Sequence, residues 1–203
     1  MRHHRSAAKP TLTPGVSRKT WVILAATLLT GITLSLMVGA SGFGLPGDAT
    51  ARVLIFYEIR LPRTALAVLI GAALATSGAA LQGYLRNPLA EPGLIGITGG
   101  AALGAVLAIQ LGLASTFALA LPFGGLTGAA VAVVVVMTLA GTRAGALTLI
   151  LAGIAVSTVA AALTALVLNL SANPFAAVEM VFWMMGSLAN RSTTHVWLAG
   201  PPI

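Results

Sequence analysis

The sequence predicts an all-α fold, a polytopic bundle of transmembrane helices that crosses a bilayer about five times. Three observations carry this expectation. The chain holds five long uncharged apolar runs; 58% of its 203 residues are hydrophobic and only 7% are charged; and all four acidic residues fall outside the runs. A soluble domain carries about a quarter charged residues. Eleven Lys and Arg with four Asp and Glu cannot furnish a solvated shell around so apolar a chain, so lipid is its solvent.

Residues 1–20 read as a basic cytoplasmic tail. Seven of the fourteen Lys, Arg and His residues precede Trp21 (Arg2, His3, His4, Arg5, Lys9, Arg18 and Lys19), with no acid among them. Cations massed ahead of a first span place that end inside the cell. Because they form a tail and not a stripe on a folded face, nucleic acid is rejected as a partner. Trp21 to Ala40 is an uncharged run of 20 residues, long enough to stay in the membrane as a span and not to be removed as a signal peptide. Residues 21–203 then read as one transmembrane domain.

The second run follows Pro62 and extends from Thr64 to Leu85. The third runs from Pro92 or Gly93 to Leu113, opened by a proline-glycine pair suited to a first helical turn. The fourth covers Thr116 to Leu139 and the fifth Ala146 to Leu170. Residues 175–187 are too few to span and set Glu179 among Phe175, Val178, Val181, Phe182 and Met185, which predicts a short amphipathic helix on the periplasmic side. Pro201, Pro202 and Ile203 lie about ten residues into an expected sixth span. With the tail inside, Asp48 to Arg63 falls outside and the turns carrying Arg86 and Arg143 fall inside. The outer segment carries Arg52, Arg60 and Arg63 against Asp48 and Glu58, an excess of positive charge that points to an acidic partner.

Several chemistries are excluded. The chain has no cysteine, hence no disulfide, thiol nucleophile or cysteine-held zinc. No phosphate-binding loop is present and both lysines sit in the tail, so no nucleotide is cradled by that route. The spans hold no ionisable residue of the kind that proton-coupled transporters and intramembrane proteases require. His195 reads as an interfacial polar residue. No catalytic, metal-binding or cofactor-binding residue is expected in this chain.

Three groups of residues remain as candidates. Gly96, Gly100 and Gly104 recur every four residues, as do Gly153, Ser157, Ala161 and Ala165, a pattern that lets helix backbones approach closely. Packing inside the bundle and a pore lining or dimer face are both open. Arg60 and Arg63 stand about one turn apart at the outer end of the second span; they suit bidentate pairing with a carboxylate, or snorkelling to lipid headgroups. The segment Arg86-Asn87-Pro88-Leu89-Ala90-Glu91-Pro92-Gly93 is a tight inner loop stiffened by two prolines. It reads as a gate, or as a connecting turn in which Arg86 and Glu91 pair.

At these residues the sequence closely resembles the FecCD-type permeases, the membrane subunits of ATP-binding-cassette (ABC) importers for ferric siderophores, haem and cobalamin. The resemblance rests on Arg60-Leu61-Pro62-Arg63, the block from Gly71 to Gly78, Leu81-Gln82-Gly83, Arg86 through Gly96, Leu151 to Ala155, and Phe182-Trp183-Met184-Met185-Gly186-Ser187. It implies an ABC importer type II permease fold in the bacterial inner membrane with a cytoplasmic N-terminus. A homodimer of ten-helix permeases would carry two cytoplasmic ATPases, which bind the ATP and magnesium, and an extracytoplasmic substrate-binding protein. Arg60 and Arg63 would meet acids of that binding protein, and Asn87, Leu89 and Thr142 would narrow the cytoplasmic gate. Family members are considerably longer, so this chain is expected to be the leading five to six helices, a fragment or a truncated form. Ferric siderophore is the first expected cargo, with haem and cobalamin open. A non-transporting structural or degenerate membrane subunit is the alternative.

Overall fold

The computed structural model describes residues 17–39, 42–44, 47–189 and 191–200; most of the expected basic tail lies outside them. Helix α1 (Arg18–Met37) starts at Ser17, whose Oγ accepts from the Thr20 amide at 3.2 Å, and none of its residues is buried. Its Thr27, Thr30 and Thr33 hydroxyls donate to carbonyls four residues back at 2.8–2.9 Å. That internal bonding removes the polar hydrogens from an environment with no water to receive them. A two-residue hairpin follows, β1 (Val38–Gly39) antiparallel to β2 (Gly42–Phe43), with Val38 opposite Phe43.

The second span begins well before the position expected from Pro62. Helix α2 (Ala49–Leu54), a π-helical segment (Ile55–Arg60) and α3 (Leu61–Leu85) form one continuous run of 37 residues. The outer segment expected as a loop is therefore mostly helix. Asp48 caps it, accepting from the Ala51 amide at 2.9 Å. Pro62 lacks an N–H, and its ring would strike the carbonyl four residues back in an α-helix. The wider π turn changes the register just where that clash would arise: the Leu61 amide donates to the Phe56 carbonyl, five residues back.

The third span is shorter than expected. After a 3₁₀ turn (Pro92–Ile95), α4 (Ile97–Gln110) has 14 residues, a rise of about 21 Å against a hydrocarbon core of about 30 Å. Left-handed Gly96 (φ 79°) and Gly112 (φ 70°) bracket it, each breaking what the sequence presents as one apolar run. A single turn, α5 (Leu113–Thr116), precedes α6 (Ala120–Ala140) and α7 (Ala146–Asn169). Among the described residues four helical runs are long and apolar enough to cross a membrane: α1, residues 49–85, α6 and α7. Helix α8 (Pro174–Met185) occupies the position of the expected interfacial helix, with Asn173 accepting from the Phe175 amide at 3.0 Å, and α9 (Thr193–Ala199) follows.

The chain divides into two compact units. In one, α1, the hairpin and the π-helical segment meet. In the other, α4 packs against α6 and α7, and Val106 and Ile109 of α4 enclose Met180 of α8, all 5% exposed or less. The opposite side of α8 leaves Phe175, Phe182 and Glu179 exposed. Large apolar side chains such as Trp21, Leu29 and Leu147 are more than three-fifths exposed, which is the surface that lipid requires and water penalises.

Candidate functional site

The loop between α3 and α4 is built by its polar side chains and two prolines. Arg86 leaves α3 in a left-handed conformation (φ 50°), uncommon for a residue with a side chain. Asn87, Pro88, Leu89 and Ala90 form a turn closed by the Ala90 amide on the Asn87 carbonyl at 3.1 Å, with proline at the position whose φ it presets. The Asn87 Oδ1 accepts from the Leu89 amide at 2.9 Å, and Gln82 Nε2 donates to the Ala90 carbonyl at 3.3 Å. Ala90 is buried, whereas Leu89 is 84% exposed at the tip. Arg86 and Glu91 are both exposed, and the turn is held by Asn87 and Gln82. Replacing Asn87 with alanine is expected to cost about 1 kcal/mol through the lost bond to Leu89. Faster hydrogen exchange at the Leu89 amide would register it.

Thr142 lies exposed in the turn between α6 and α7. Gly96 at the head of α4 faces Gly153 and Val156 in the first half of α7, so α4 and α7 run in the same direction and both turns lie at one end of this unit. The structure thus brings Asn87, Leu89 and Thr142 to a common end. No hydrogen bond joins Thr142 to the other two among the described residues.

The small residues sit where backbones meet. A Cβ on Gly100 would fall 2.6 Å from the Gly128 carbonyl oxygen, and one on Gly104 would fall 2.9 Å from Gly128 Cα and against the Gly124 carbonyl. Helices α4 and α6 therefore cross antiparallel through two glycine pairs. Gly153 packs on Ile95, whose Cα would lie 2.8 Å from an added Cβ, and Ser157 packs on Gly99. Sequence reasoning found the α4 and α7 members and missed Gly124 and Gly128 as their counterparts. The signal was present, since Gly124, Gly128 and Ala132 repeat the same four-residue spacing. Beside this crossing an open groove of about 650 Å³ is lined by Leu107, Phe117, Phe123, Val131, Val159 and Leu163, with Thr127 as its one hydroxyl side chain, and offers mainly apolar contact.

Arg60 and Arg63 turn toward the end of α1. Arg60 is 2% exposed, donating from one terminal nitrogen to the Leu36 carbonyl at 2.7 Å and from the other to the Gly44 carbonyl at 2.6 Å. Arg63 is half-buried, and a single nitrogen of it donates to the Ser35 and Val38 carbonyls at 2.9 and 3.1 Å. A docking contact needs an outward guanidinium; that of Arg60 faces inward. Thr64, also buried, shares a 2.8 Å hydroxyl contact with Ser35. Among the described residues no group of three or more His, Cys, Asp and Glu is placed to hold a metal ion.

A run of long lipid-facing helices, knit by glycine crossings and joined by tight polar turns, defines a multi-spanning α-helical membrane protein. It belongs to the FecCD transport family, whose model matches residues 19–203. Among its relatives, the vitamin B12 import system permease protein BtuC of Citrobacter koseri is 36% identical over 177 residues, covering 86% of this chain and 53% of that protein. BtuC of Salmonella paratyphi A is 34% identical over 180 residues, 88% of this chain and 55% of that one. The chain thus spans about half the length of the curated relatives it matches. A solved metal-chelate type ABC transporter in an inward-facing conformation superposes with a TM-score of 0.76 at 31% identity, over 89% of this chain and 57% of that one. The fold is accordingly that of an ABC importer type II permease, of which this chain represents a part.

Proposed function

We propose that the chain supplies the leading helices of a permease subunit in an ABC importer for a metal chelate. The observation that carries this reading is the family match across residues 19–203, which takes in every described helix except the first residue of α1. The chain makes no covalent change in its cargo. ATP is hydrolysed on a separate cytoplasmic subunit, a second permease copy completes the pathway, and a binding protein delivers the cargo from outside the inner membrane, the N-terminus lying in the cytoplasm. Relatives named for vitamin B12 import and a neighbour named for metal chelates favour that broad ligand class over ferric siderophores in particular. Cobalamin is the first cargo to test.

Reconstitution of the whole gene product with its ATPase and binding protein tests the reading. Cobalamin-loaded binding protein is expected to stimulate ATP hydrolysis severalfold over the empty form; stimulation by a ferric siderophore or haem alone would redirect the cargo, and by none of the three would overturn the importer reading. Docking is assigned to Arg63, which is only half-buried, in contrast to the enclosed Arg60. Arg63→Glu is expected to weaken binding-protein affinity at least tenfold, because a steering charge across an interface becomes repulsive when reversed. Wild-type affinity would remove Arg63 from the interface. Asn87, Leu89 and Thr142 form the gate in this reading, supported by their common end of the unit and by the exposed Leu89 tip.

A further inference from the structure

A helix leaves its last four carbonyls without intrahelical donors, and in a membrane those orphans have little water to turn to. In α1 the last helical bond runs from the Val38 amide to the Leu34 carbonyl. The four carbonyls beyond it each receive a donor from the protein itself. Ser35 and Val38 receive Arg63, Leu36 receives Arg60, and Met37 receives the Gly44 amide at 2.9 Å. Arg60 also reaches past the helix to the Gly44 carbonyl, so it ties both sides of the hairpin. Gly39 lies directly against this guanidinium: an added Cβ would stand 2.8 Å from the Arg60 Nη2. Two cations at a helix C-terminus also complement the negative end of its dipole.

We propose that Arg60 and Arg63 form the C-terminal cap of the first spanning helix, a clamp that fixes the outer hairpin Val38–Phe43 to the head of α3. Arg60 is then a positioning residue for the docking face, not a contact; this last clause rests on the docking reading above, the clamp itself does not. The π-helical segment ending at Arg60 and the buried Pro62 set the register that turns Arg60 toward α1 while the chain continues into α3.

The clamp makes an asymmetric demand. Arg60 serves two carbonyls with two separate nitrogens, a fork that lysine lacks, whereas Arg63 serves two carbonyls with one nitrogen, which an ammonium reproduces. The test uses the whole gene product in lipid nanodiscs, following hydrogen exchange at the Val38 and Gly44 amides together with binding-protein affinity. Arg60→Lys is expected to speed exchange at both amides at least tenfold, Arg63→Lys to leave them near wild type, and Arg63→Ala to speed them. Should Arg60→Lys not be recovered folded, Gly39→Ala presses on the same guanidinium and is expected to speed exchange at Gly44 severalfold. Unchanged exchange in Arg60→Lys overturns the clamp, and if affinity falls while exchange is unchanged, Arg60 is a direct docking contact. Faster exchange with lost affinity supports clamp and docking face together. Faster exchange with full affinity supports the clamp and removes Arg60 as a positioning residue for docking.

Discussion

Gly104→Ala is expected to collapse the folded yield of the protein and to lower its thermal midpoint in detergent by on the order of 10 °C. The added methyl would overlap the Gly124 carbonyl and stand 2.9 Å from Gly128 Cα. Overpacking a core with a flexible neighbour costs about 1–3 kcal/mol. Here the obstacles are backbone atoms of another helix, which have no rotamer to change, so the cost lies at or above the top of that range. At about 2–4 °C per kcal/mol for a chain of this size, the shift follows. In lipid no hydrophobic gain draws helices together, so close backbone approach is itself what holds α4 on α6, and separating them forfeits it. Gly125→Ala is the control. It sits on the same helix, beside Gly124, but its Cβ would find only the Ala101 carbonyl oxygen, at 3.8 Å. Equal stability of the two variants would show that the α4–α6 crossing does not depend on its glycines.

What could be read from the sequence followed from what lipid imposes on composition. Long uncharged runs announced α1, α6 and α7 because a spanning helix must be apolar along its whole length, and their ends agree with the expected ones to within about four residues. Boundaries set by backbone conformation were less legible. Pro62 reads as a stop, yet a π turn absorbs it, and nothing in the composition of Ile55–Arg60 announces the i→i+5 register. Gly96 and Gly112 read as ordinary members of a small-residue run, although their left-handed φ divides it. Among the candidate residues, the four-residue spacing pointed to Gly100 and Gly104, while their antiparallel counterparts on α6 are a matter of tertiary pairing. The charge of Arg60 was evident and its direction was not. Pairing with the end of α1 joins residues 24 positions apart, a contact that local spacing does not encode.

Gly153→Ala is expected to loosen the loop between α3 and α4 without unfolding the bundle. Gly153 meets the chain where it leaves the 3₁₀ turn: an added Cβ would overlap the Leu94 carbonyl and lie 2.8 Å from Ile95 Cα. On the other side of the junction Gly96 is equally confined. Its Cβ would stand 2.9 Å from the Gly153 carbonyl oxygen, and its φ of 79° costs an L-residue about 1–2 kcal/mol besides. A methyl on either side must push Leu94–Gly96 off α7, at about 2 kcal/mol or more. Unlike the α4–α6 crossing, this junction ends in a loop that has somewhere to go, so the displacement passes back through Pro92 to the Asn87 turn. Trypsin reads the result, because Arg86 is exposed at the start of that loop and Arg143 is exposed in the turn before α7. Cleavage after Arg86 is expected to accelerate at least fivefold in Gly153→Ala and in Gly96→Ala, with cleavage after Arg143 near the wild-type rate, since the Ala144 amide closes that turn on the Gly141 carbonyl independently. Acceleration at both arginines would mean that α7 itself has loosened. Acceleration at neither would mean that the loop is held by Asn87 and Gln82 alone and that its anchoring does not run through α7.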